Sequence, residues 1–208
     1  MGIFDSLKRQ AESAIKREIS QGINKVATNT TNAVGTGRNH TETFTFDSLP
    51  TNVAELQALP QASLDSAFKT TALTLVVLCN YEHNPQQTIE MLNFLKGPGE
   101  ISGFEKQFIN EHLGSKPYKV RSYFEGATPE NGYTPDTPYK IIVIENPYSF
   151  DNADWATLYV KSSGADNPRP IKLRRKPSTG QWFLVEIQCL ADIRVPVEED
   201  PWAQKFGR

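Results

Sequence analysis

Cysteine is nearly missing from this chain of 208 residues, which holds two, Cys79 and Cys189. A pair so widely separated cannot lace a disulfide scaffold, and each sits in an apolar run, so both are expected as buried thiols. Long apolar runs are missing as well. Stretches such as Leu75-Val76-Val77-Leu78-Cys79 fall far short of the roughly 20 residues that span a bilayer, and no signal-peptide core follows Met1. The expected setting is cytoplasmic. There is almost no excess of one charge: 22 Lys and Arg against 24 Asp and Glu leave a net charge of −2. Without a long-range positive field, nucleic acid is not an expected partner, and any contact with an anion has to be local. The common catalytic signatures are absent too. The chain has no G-x-S-x-G, H-E-x-x-H or C-x-x-C, and Gly35-Thr36-Gly37 lacks the Lys-Ser/Thr of a phosphate loop. No catalytic residue and no cofactor is assigned, and an enzyme is the less favoured class.

What is present is the composition of a folded protein, 38% hydrophobic, 22% charged and 10% aromatic. From Met1 to Ala27, apolar residues recur at Phe4, Leu7, Ala11, Ile15, Ile19, Ile23 and Val26, in steps of three and four. That spacing predicts an amphipathic helix, with Lys8, Arg9 and Lys16 off the stripe. Residues 28–43, TNTTNAVGTGRNHTET, have almost nothing to bury and predict a tether. Residues 1–42 are therefore read as a helix plus tether and residues 43–208 as one domain.

Within that domain the period is helical first and strand-like later. Phe44-Thr45-Phe46 suggests a small strand. Helices are expected over Asn52 to Leu59, from a cap at Ser63 or Asp65 to Cys79, from Asn84-Pro85 to the Gly97-Pro98-Gly99 stop, and from the Ser102/Glu105 capping box to Gly114. Past Lys116 the apolar period drops to two. Strands are expected at Tyr118 to Glu125, Tyr139 to Glu145, Trp155 to Lys161, Pro170 to Lys176 and Gln181 to Cys189, followed by an extended tail. The predicted class is α+β: a helical half followed by an antiparallel sheet of about five strands, preceded by the tethered helix.

Several residue groups carry candidate chemistry. Cys79 and His83 stand four apart with Glu82 between them, but two ligands do not make a metal site, and none is assigned. The stretch from Lys161 to Lys176 carries a local charge of +5, and strand alternation puts Lys172, Arg174 and Lys176 on one face, able to hold an anionic ligand. The same charges would also guard an exposed strand against edge pairing. A pocket between helices and sheet, small-molecule-binding or enzymatic, would draw on His83, His112, Arg121 and Glu125. The Pro-rich loop from Gly126 to Pro138 is either a display loop or a crossover. The Glu198-Glu199-Asp200-Pro201-Trp202 tail is either a docking peptide or a strap.

Five phrases carry a resemblance: Leu56-Gln57-Ala58-Leu59-Pro60 leading to Ala62-Ser63-Leu64-Asp65, Glu90 to Pro98 (EMLNFLKGP), Ser122 to Asn131 (SYFEGATPEN), Ser163 to Pro170 (SGADNPRP) and Glu199 to Ala203 (EDPWA). Across about residues 43–203 the chain resembles a family of uncharacterised bacterial proteins, a domain of unknown function. The resemblance implies a bacterial cytosolic setting and no activity. The residues themselves point to a non-enzymatic binding or adaptor module. Its helix would dock through Ile3, Phe4, Leu7, Ile15 and Ile19, with Lys8, Arg9 and Lys16 in support, on a protein partner, a second copy or the inner face of a membrane.

Overall fold

A computed structural model describes residues 39–203. The amphipathic stripe with its docking residues Ile3, Phe4, Leu7, Lys8, Arg9, Ile15, Lys16 and Ile19, and the tether up to residue 38, lie outside the described residues.

The helices form where their caps place them. The first, α1 (Val53–Ala58), starts at Asn52, whose side chain accepts from the Glu55 N–H, and it ends ahead of Pro60. The second, α2 (Ala67–Leu78), is capped by Ser66 rather than by Ser63 or Asp65. Ser63 instead closes the 3-10 turn Pro60–Ser63, and Asp65 is occupied by Lys69 one turn on. Asn84 and Pro85 open α3 (Pro85–Lys96), and the complete Ser102/Glu105 capping box opens α4 (Gly103–Leu113).

Every residue of α2 except Lys69 is buried, which is what a helix apolar on all sides requires. Its threonines are accommodated because each hydroxyl has an acceptor: Thr71 donates to the Ala67 carbonyl, Thr74 to the Thr70 carbonyl, and Thr70 to the Trp182 carbonyl of the sheet at 2.8 Å.

The sheet is a five-stranded antiparallel meander, β1 (His40–Phe46), β2 (Tyr139–Glu145), β3 (Trp155–Val160), β4 (Arg169–Arg175) and β5 (Trp182–Ile187), in sequential order. Phe44, Phe46, Ile141, Val143, Ala156, Leu158, Ile171, Leu173 and Leu184 make its buried face. Helix α2 touches all five strands, α3 packs on α2 and reaches β5, and α1 packs on α3. One connected core results.

The α+β class and the five-stranded sheet thus stand, with two corrections to the strands. Tyr118 to Glu125 is not a strand: Pro117 leads into a single helical turn, α5 (Tyr118–Arg121), and only the Phe124–Ile141 bridge, with the Glu125 N–H on the Lys140 carbonyl, reaches the sheet. The fifth strand is β1, which comes from ahead of the helices and begins at His40, inside the expected tether. It pairs with the whole of β2, Phe44 opposite Ile141 and Thr43 opposite Ile142.

Candidate functional site

The end of α2 and the turn of α5 meet over a cavity of about 230 Å³. Helix α2 runs on into a 3-10 turn, Cys79–Glu82, with His83 as its cap, while α5 ends on Arg121. These elements supply the polar wall, Cys79, Glu82, His83 and Arg121; Leu49, Phe124, Pro135 and Tyr139 supply the apolar one. Arg121 Nη1 donates to Glu82 Oε2 at 3.2 Å. That bond uses one of the guanidinium's five N–H donors, and Nε–H, shielded from solvent, meets no acceptor among the described residues. Both partners keep water access, their side chains 35% and 40% exposed.

Burial pushes the Cys79 thiol well up from its usual range, and the nearby Arg121 charge only partly opposes this. Cys79 itself is only partly buried, a departure from the buried position expected for it. Cys189 is buried, its pKa pushed up to about 12 by burial. Among the described residues, no group of three or more His, Cys, Asp and Glu is placed to hold a metal ion.

The four pocket residues expected from sequence divide evenly. His83 and Arg121 come together in the cavity. His112 lies on α4, its ring 4.2 Å from that of Phe108 and its Nδ1 donating to the Phe108 carbonyl at 2.9 Å. Glu125 pairs with Lys140 at 2.9 Å outside the cavity lining. The member that sequence reasoning left out of the pocket is Glu82. It sits beside His83 in the chain, but its pairing with Arg121 across 39 positions has no local signal.

The basic row is partly spent. Lys172 pairs with Glu186 of β5 at 2.8 Å, and the Arg174 guanidinium lies 5.1 Å above the Trp155 ring. Lys176 is exposed just beyond β4. These residues do share the outer face, since Ile171 and Leu173 point inward, but β4 lies between β3 and β5, so guarding a sheet edge does not account for them. The Pro-rich loop links α5 to β2. Its Asn131 side chain accepts from the Thr128 and Thr134 N–H groups and donates to the Gly126 carbonyl, and its Tyr133 is fully buried against Tyr118. Trp202 of the tail is 72% exposed.

A second concavity, about 290 Å³, lies between α4 and the end of β5, floored by Phe108, Ile109 and Ile187 beneath Phe104, which is 80% exposed. Its signal was in the sequence: Phe104, Phe108 and His112 recur every four residues, on a stripe apart from the core positions Ile109 and Leu113.

The described residues thus form an α+β domain with a small cavity of mixed lining at a helix end. The chain belongs to the family described as Domain of unknown function (DUF6935), whose model matches residues 48–197. No curated protein and no solved structure matches it. No helix among the described residues is long and apolar enough to cross a membrane.

Proposed function

We propose that the protein is a non-enzymatic binding module of the cytoplasm that docks on the anionic surface of a membrane through the apolar stripe of residues 1–26. One observation carries this reading. Among the described residues the inner face of the sheet packs on α2, with α3 and α1 packed beyond. An apolar stripe at Phe4, Leu7, Ala11, Ile15, Ile19, Ile23 and Val26 needs a cover, and the surface of a membrane is the one proposed. Lys8, Arg9 and Lys16 flank it with the charge that an anionic headgroup layer attracts. The test is co-sedimentation of the full chain with phosphatidylglycerol-containing vesicles, beside the Leu7→Glu/Ile15→Glu double variant. Binding lost in the variant at an unchanged unfolding temperature supports the reading. Equal sedimentation of the two, or no sedimentation of either, overturns it; a change in native mass between them would point to a protein partner or a second copy.

A second reading rests on a different observation, the Arg121 guanidinium with one of its five donors on Glu82 beside an open cavity. A guanidinium with four donors unfilled among the described residues, beside apolar side chains, is a place for a small ligand, and the module would then also sense a metabolite.

A further inference from the structure

We propose that the Arg121 cavity binds a free α-amino acid with an apolar side chain. This rests on the small-molecule reading just given and names its ligand class.

Three features choose among ligands. The first is charge. The wall carries one guanidinium and one carboxylate in contact, Arg121 and Glu82. A dianion such as a phosphate monoester would gain from Arg121 and be repelled by Glu82; a zwitterion meets an opposite charge at both ends. The second is unused bonding capacity. Among the described residues, Arg121 spends one of five donors on Glu82 Oε2, and Glu82 Oε1 receives no donor. A ligand carboxylate on the remaining guanidinium donors and a ligand ammonium on Oε1 would complete both groups without breaking the bond between them. The third is size and lining. About 230 Å³ is below the roughly 300–1,000 Å³ of sites for drug-sized ligands, and Leu49, Phe124, Pro135 and Tyr139 form an apolar wall for a hydrocarbon side chain. His83 adds a polar rim.

The experiment is a titration of the full chain followed by backbone amide NMR, using L-leucine, 4-methylpentanoate (no ammonium) and isopentylamine (no carboxylate). Leucine at millimolar concentration is expected to shift the amides of residues 79–83 and 121–124. Each analogue should bind at least about 10-fold more weakly, the weight of one charge-assisted hydrogen bond in a half-exposed site. Arg121→Gln and Glu82→Gln should each weaken leucine by a similar factor, and the wild-type series stands alone if a variant fails to fold. Equal shifts from 4-methylpentanoate and leucine would overturn the amino-acid assignment while leaving a carboxylate site. No shift of these amides by any of the three compounds would overturn the proposal and the small-molecule reading together.

Discussion

At the scale of single residues, Gly97 shows how a stop signal is enforced. It ends α3 with φ at +62° and ψ at −110°, a conformation that side chains with a Cβ avoid, and a Cβ there would lie 2.3 Å from the Phe183 ring of β5. Its N–H still bonds the Asn93 and Phe94 carbonyls, so the glycine closes the helix and lets an aromatic of the edge strand lie against the turn. Gly97→Ala is expected to lower stability by about 2–3 kcal/mol through combined backbone strain and overlap. Urea unfolding with an unchanged slope reads this directly, and a shift under about 0.5 kcal/mol would contradict the close approach. The glycine itself was plain in Gly97-Pro98-Gly99. The ring that makes it obligatory comes from 86 positions away and has no trace in the local pattern.

At the scale of elements, caps were readable and strands less so. Asn52, Asn84-Pro85 and Ser102/Glu105 each begin a helix as their chemistry dictates, because a cap satisfies orphan N–H groups within its own turn. Tyr118 to Glu125 misled because Tyr118, Val120 and Phe124 do alternate and are buried, but inside a turn plugged into the core rather than along a ladder. Strand β1 was undersold for the opposite reason. Its threonines look like linker, although Thr41, Thr43 and Thr45 simply take the solvent side while Phe44 and Phe46 turn inward. The capping box of α4 also carries a pH dependence. Burial raises the Glu105 pKa, but Lys96 and the backbone and hydroxyl bonds from Ser102 outweigh it, so the net shift is downward. A carboxylate depressed in the folded state stabilises above its unfolded pKa of about 4.3, and that contribution fades as pH falls through the lower folded value. Glu105→Gln should therefore cost about 1 kcal/mol at neutral pH and almost nothing near pH 2. Thermal unfolding of both proteins at the two pH values checks it, and a pH-independent difference would contradict it.

At the scale of the whole molecule, the sequence carried the class of fold and half of the pocket. Helix periods, then strand periods, determine what can pack on what, and His83 and Arg121, both polar residues beside apolar runs, line one cavity. The missing half is long-range. Glu82 joins through a contact made only when the end of α2 and the turn of α5 are brought together, and the Phe104 groove through the approach of α4 to β5. The strand beginning at His40 also moves the boundary of the body upstream of residue 43, so a cut there would remove half of an edge strand and mimic a loss of docking by damaging the sheet. The proposed docking role of residues 1–26 requires that the rest of the chain fold without them. Its most direct test is the thermal unfolding midpoint of a chain beginning at Asn39, beside that of the full chain. Midpoints within about 3 °C are expected, equivalent to roughly 1 kcal/mol for a domain of this size. A fall of more than about 10 °C would make the stripe part of the core and contradict it.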